Sequence, residues 1–273
     1  MSKDKKPFNL NMHTARLLMR EPFFAALSRR IDKIASTAIP TAGVRVNPDS
    51  GQFEMLYNPE FMGALEERHL QGVLMHEFYH LIFEHVTSRK PADGLKKIDN
   101  IAMDLSINSH ISDYLPSEHN PGPAINGEPM KACLAGEGPF KDLPPFKSYE
   151  WYLEALKDMS EGNEGDGENG EAGGFGDMDS FDSHEGFGEA DGTTQEIAKE
   201  RLKEAVKKAA EEAEKSNNWG SVSHSMRQDI MDRIATKIGW RKVLRYFVKT
   251  SQRAEKRSTP RRLNKRFPKI HPG

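Results

Sequence analysis

His76-Glu77-Phe78-Tyr79-His80 is an HExxH stretch inside the apolar run from Leu70 to Val86. In an α-helix, residues four apart lie one above the other, so His76 and His80 point the same way. Two imidazoles in that relation can reach one Zn²⁺ at about 2.0–2.1 Å each. Glu77 stands beside them, where it can polarise a zinc-bound water and take its proton. The motif arises by chance in on the order of one chain in a hundred of this length, so its setting decides. At about 100° per residue, Leu70, Leu74, Phe78, Leu81 and Ile82 gather on one side. His69, His76, Glu77, His80 and Glu84 gather on the other. The spacing predicts a helix to about Thr87, with an apolar face for the core and a polar face for a cleft, as a metallopeptidase helix needs. The competing reading is an ordinary amphipathic helix with solvated His and Glu.

Catalytic zinc takes three protein ligands and keeps a position open for water. Asp104 is the first candidate for the third. In Asn100-Ile101-Ala102-Met103-Asp104-Leu105-Ser106-Ile107-Asn108, the residues Asn100, Asp104 and Asn108 recur every four positions and form one polar stripe on an apolar helix. A buried stripe of that kind needs partners. A metal and its histidines supply them, with Asn108 or Asn100 orienting a histidine from behind. The alternative is a stripe that faces solvent. Glu84, on the metal face, is a fallback ligand or acceptor. His85 lies about 180° from His76 on a straight helix. It reads as a buried histidine with one hydrogen bond, and becomes a ligand only if the helix ends sharply and the chain folds back.

The 273 residues suffice for one sizeable core and a second small one. Apolar residues make up only 36% of the chain and mean hydropathy is −0.71, so part of the length is expected to stay unpacked. Cys133 is the sole cysteine, which excludes an intrachain disulfide and a thiolate zinc cluster. The N-terminal residues lack an apolar signal-like core, and no run approaches membrane-spanning length. The expectation is a soluble cytoplasmic protein without a membrane partner, residing in the host cytoplasm if it is viral.

Residues 1–9 read as a flexible tail and 10–159 as the core domain. Helices are expected over Asn11–Met19 and Pro22–Ala35, the latter from Phe24, Leu27, Ile31 and Ile34. Gly43–Asn47 and Gln52–Tyr57 are extended runs around an Asn-Pro-Asp-Ser-Gly turn, hence a β-hairpin. It is either a purely structural hairpin or a cleft wall that a peptide joins by strand addition. A short helix follows over Asn58–Glu67, and further helices over Ile98–Ser112 and Ser148–Met159, with an irregular Pro- and Gly-rich stretch at 115–147.

Residues 160–194 contain no Lys or Arg and are crowded with Gly, Asp and Glu. They read as a disordered acidic insert. Calcium binding is the alternative, but EF-hand spacing is absent. Residues 195–253 read as C-terminal helices packing on the core: a solvated Ala/Glu/Lys helix to Lys215, then helices over Ser225–Ile238 and Trp240–Thr250. Residues 254–273 form a basic tail. From Arg241 to Lys269 only Glu255 is acidic. Such a tail can grip nucleic-acid phosphates, or lie against the acidic insert or an acidic partner.

HEFYHLIFEHVTSR, then NIAMDLSIN, then SYEWYLEAL, resemble the metallopeptidase domain of bacterial and phage proteins that is often joined to a von Willebrand factor A-like domain. The likeness is close over residues 69–113 and loose over 148–156, and Thr259-Pro260-Arg261-Arg262 resembles that family's Arg-rich connector. The resemblance implies an α+β, mostly helical, zincin-like fold: a small sheet or hairpin beside the HExxH helix, with the metal between two helices. This chain stops at Gly273, where that family commonly continues, so by the resemblance the role of the von Willebrand-type domain is expected to be absent or supplied by a separate von Willebrand-type or ATPase partner.

The leading expectation is a zinc metallopeptidase acting on a protein or peptide, with His76, His80 and Asp104 on Zn²⁺ and Glu77 as general base. Tyr79 points away from Glu77, and His110 or His119 assists only if the irregular stretch folds over the cleft. Two other readings stay open. One is a metal-containing interaction or regulatory module that cleaves nothing; the other is a nucleic-acid-associated protease.

Overall fold

The computed structural model describes residues 8–89, 91, 94–125, 128–161, 192–235, 244 and 248. The elements below all lie in the unit that spans residues 1–238. The fold is α+β and mostly helical, with one small three-stranded sheet.

Helix α1 (Leu10–Arg20) starts at Asn9, whose side chain accepts from the amide of Asn11. Pro22 opens α2 (Pro22–Ser28), a position where its missing N–H leaves no bond unmade. The helix expected to run on to Ala35 stops there, and Asp32–Ala35 form strand β1 instead. The Lys33 ammonium donates to the carbonyls of Ser28 and Ile31 at 2.6 and 3.2 Å. Beyond that stop, β1 pairs in parallel with β3 (Phe53–Tyr57), while β2 (Ala42–Val46) pairs with β3 antiparallel on its other edge.

The β2–β3 hairpin follows from its turn chemistry. Asn47 Oδ1 accepts from the amides of Asp49 and Ser50, and Gly51 supplies φ +65°. Arg45 faces Glu54 across the register at 2.9 Å. Asn58 then caps α3 (Pro59–Ala64), accepting from the amides of Glu60 and Phe61.

Helix α4 (Glu67–Ile82) carries HExxH and packs against β2, α1, α2 and α5 (Lys97–Asn108). The half-exposed amphipathic helix expected from the sequence is buried all round: His69 through Ile82 are without exception buried. Its apolar side enters the main core with α1, α2 and the sheet. Its polar side is covered by α5 and the following turn, Ser112–Tyr114. The fit is close: a methyl group on Gly72 would overlap the carbonyl oxygen of Tyr114.

Helix α5 is itself backed by a second apolar cluster. Ile101, Ala102, Met103 and Leu105 pack there with Cys133, Phe140 and, from α6 (Tyr149–Glu161), Tyr149, Tyr152 and Leu156. The two-residue strands β4 (Ala124–Ile125) and β5 (Glu128–Pro129) pair within the otherwise irregular stretch. Helix α7 (Gly192–Lys215) is solvated on one side only. Ile197, Leu202, Val206, Ala209 and Ala213 bury the other side, and Arg30 binds Glu212 at 2.6 Å to clasp α7 to α2. Helix α8 (His224–Ala235) buries Met226 and Ile230.

Nearly all of the expected acidic insert lies outside the described residues, since Glu161 closes α6 and Gly192 opens α7. The basic tail 254–273 lies outside them as well. So does the helix expected over 240–250, apart from Leu244 and Val248. Among the described residues no helix is long and apolar enough to cross a membrane.

Candidate metal centre

Helices α4 and α5 bring His76, His80 and Asp104 to one point, each buried, with one ligand atom apiece within 4.8 Å of the others. The Nε2 atoms of His76 and His80 are 3.0 Å apart, and Asp104 Oδ1 is 3.5 Å from each. A tetrahedral ion with bonds of about 2.0–2.1 Å holds its donor atoms about 3.3–3.4 Å apart. The triangle therefore has the size of one face of such a coordination shell. Glu77 is buried with them, and all four residues are fully buried. The solvent-facing alternative for the Asp104 stripe is excluded by that burial.

The chain fixes which nitrogen of His76 faces this point. Asn108 Nδ2 donates to the carbonyl of Cys133 at 2.9 Å, which turns Asn108 Oδ1 towards His76 Nδ1 at 2.7 Å. His76 Nδ1 therefore carries the proton and donates it to Asn108, leaving a lone pair on Nε2. That lone pair meets Nε2 of His80 at 3.0 Å beside a carboxylate. A proton shared between the two rings would satisfy one pair of atoms, whereas a cation satisfies all three. The donor set thus fits a metal ion, and its two nitrogens and one oxygen suit a borderline-soft divalent ion.

Asn100 is half-buried and its Oδ1 has no hydrogen-bond partner among the described residues, so it orients neither histidine. Glu84 is turned towards α7, with Oε2 3.9 Å from the Lys199 ammonium, and does not join the cluster of His76, His80 and Asp104. His85 is fully buried, and its Nδ1 lies 3.2 Å from Nδ1 of His80, on the side of that ring away from Asp104. Helix α4 ends at Ile82, not near Thr87, and this early stop lets the chain fold back at His85.

Tyr79 points into an aromatic group with Phe24, Phe83 and His110, and burial pushes its phenol well above the usual range. Burial likewise lowers the pKa of His110, which packs between those rings and Phe146. His119 is exposed. Burial, then the nearby Asp104 charge, raises the Cys133 thiol. Its contribution to the site is its carbonyl, which no side-chain pattern announces.

The sequence family agrees with this geometry. A profile described as "Putative metallopeptidase domain" matches residues 5–270. The chain belongs to that family. An uncharacterized protein of Thermotoga maritima is 29% identical over 237 residues, covering 80% of this chain and 53% of that protein. The chain thus spans about half the length of the curated relative it matches. No solved structure matches it. Family membership and the buried His–His–Asp cluster both point to a metal ion between α4 and α5.

Proposed function

We propose that this chain is a zinc-dependent metallopeptidase of zincin-like architecture, cleaving a protein or peptide. The observation that carries the reading is the triangle of His76 Nε2, His80 Nε2 and Asp104 Oδ1, with Glu77 buried beside it. A bound Zn²⁺ would supply Lewis acidity, polarising the scissile carbonyl and lowering the pKa of water towards about 7. The chain's own groups do the rest. Asn108 holds His76 in the tautomer that presents Nε2, Asp104 adds one negative charge, and Glu77 takes the attacking water's proton and delivers it to the leaving amine. The zincin-like description is supported by the setting: a three-stranded sheet whose β2 packs on α4, with the metal position between α4 and α5.

Glu77→Gln keeps the volume of the side chain and removes its basicity. The expected result is unchanged zinc content, with hydrolysis of a substrate cleaved by the wild type lowered by about 10²–10⁴-fold. Full activity in Glu77→Gln would overturn the assignment of the base.

One observation favours a second reading, a metal-containing module that cleaves nothing. The four central residues are fully buried, whereas a hydrolytic centre has to admit a peptide. Zinc content is common to both readings. Cleavage of partner proteins by the wild type but not by Glu77→Gln selects the peptidase.

A further inference from the structure

We propose that His85 is a positioning residue that sets the tautomer of His80, through a helix end built for that contact; the inference rests on His80 being a metal ligand. Helix α4 closes with a paired set of backbone bonds. The amide of His85 donates to the carbonyl of His80 at 2.9 Å, and that of Glu84 donates to Leu81 at 2.9 Å. These are the 6→1 and 5→2 bonds of a Schellman ending, in which the residue at the turn takes a left-handed conformation. Glu84 occupies that position at φ +62°. Glycine is the usual occupant, because a Cβ is strained there.

Such an ending lays the second residue after the C-cap over the residue five positions earlier, where an apolar contact commonly forms. Here the two residues are His85 and His80, and the contact is a hydrogen bond between their Nδ1 atoms at 3.2 Å. The His85 ring is also held from its flanks by Phe83 at 5.7 Å and Tyr149 at 5.8 Å between centroids. Tyr149 is pinned in turn, its hydroxyl donating to Asp99 Oδ1 at 2.8 Å. The spacing of five between the last two histidines of HExxHxxxxH is therefore the spacing of a helix-end contact, not of two ligands on one face.

Proton bookkeeping gives the contact its role. A neutral imidazole has one N–H and one lone pair. For His80 to offer the Nε2 lone pair, its proton must sit on Nδ1. His85 Nδ1 must then accept, and the His85 proton sits on Nε2. His76 and His80 are thus fixed by different acceptors, the amide oxygen of Asn108 and the ring nitrogen of His85. In these tautomers each acceptor offers a neutral lone pair to the histidine it orients.

The test measures zinc affinity of the full chain by competition with a chromophoric chelator, together with ¹⁵N spectra of histidine-labelled protein. His85→Phe keeps a ring and loses the acceptor; zinc binding should weaken about 10–100-fold, the usual effect of losing a partner behind a ligand. His85→Gln, whose Oε1 can accept, should recover most of that loss. In the zinc-loaded wild type, His85 should be the Nε2–H tautomer and His80 should bind through Nε2 and carry its proton on Nδ1. Wild-type affinity in a folded His85→Phe, or a coordinated His85 nitrogen, would overturn the inference. If His85→Phe does not fold, the wild-type spectra decide alone. Asp104→Ala separates the two levels: zinc lost there but kept in His85→Phe rejects only the role of His85, while zinc kept in Asp104→Ala rejects the ligand set.

Discussion

Glu21, at the junction of α1 and α2, and Asp104, in the middle of α5, are both buried carboxylates, set among different groups. Glu21 is ringed by donors. It accepts from the Ser221 amide at 2.7 Å, the Ser221 hydroxyl at 3.0 Å and the Tyr114 phenol at 3.3 Å. The chain closes tightly around it, because Gly220, at φ +66°, leaves no room for a Cβ beside its carboxylate. Asp104 Oδ1 lies instead 3.5 Å from two ring nitrogens, and the proton of the His76 ring is already engaged on its far side by Asn108. A carboxylate that serves the fold is satisfied by the protein's own N–H and O–H groups. One that meets two ring nitrogens at a single point is placed to hold a cation together with them.

The contrast breaks most visibly at Asp104. Asp104→Ala should weaken zinc binding by more than about 100-fold, a larger loss than removing a partner behind a ligand causes. The wild type should also be stabilised by zinc, by about 2.7 kcal/mol at a hundredfold excess over Kd, while Asp104→Ala shows no such gain. Chelator titration followed by thermal unfolding reads both effects. Equal zinc stabilisation of the two proteins would show that Asp104 resembles Glu21 after all.

Glu21→Gln probes the other side. The amide removes the negative charge and directs an NH₂ at the Ser221 amide or at the hydroxyls. The expected cost is about 2 kcal/mol in denaturant unfolding, in keeping with hydrogen bonds to a charged acceptor. Zinc content per folded molecule should match the wild type. A variant that lost zinc while remaining folded would tie the Glu21 node to the metal centre and dissolve the distinction.

The two sites also differ in how far they can be seen in the sequence. Four-residue spacing alone puts His76 with His80 and Asp104 with Asn108, because helix periodicity is local. The hairpin is visible for the same reason, its Asn47-to-Gly51 turn carrying its own backbone chemistry. Glu21 gives no such sign, since its donors are 93 and 200 residues away. Strand β1 is hidden because Ile31 and Ile34 fit a helical repeat. Four residues cannot show whether their period is 2 or 3.6, and pairing with β3 settles it. The Cys133 carbonyl that orients Asn108 is hidden altogether, since every residue has one. The end of α4 is masked twice over. The apolar run continues to Val86, and the stop position holds a glutamate where a glycine would have signalled it.

That glutamate yields the smallest effect and the sharpest check on how the metal side is built. If the helix end is set by its backbone bonds, the Glu84 side chain is dispensable. Its contact with Lys199 is 3.9 Å long and partly solvated, a kind of pair that contributes little. Glu84→Gly removes a left-handed Cβ and loosens the unfolded chain, and the first effect should exceed the second by about 0.5–1 kcal/mol. Unfolding in denaturant should therefore shift to slightly higher concentration, with zinc affinity unchanged because His85 still lies over His80. Weaker zinc binding in Glu84→Gly would mean that the side chain, rather than the backbone turn, holds His85 in place, and Glu84 would then join Asn108 among the groups that orient the histidines.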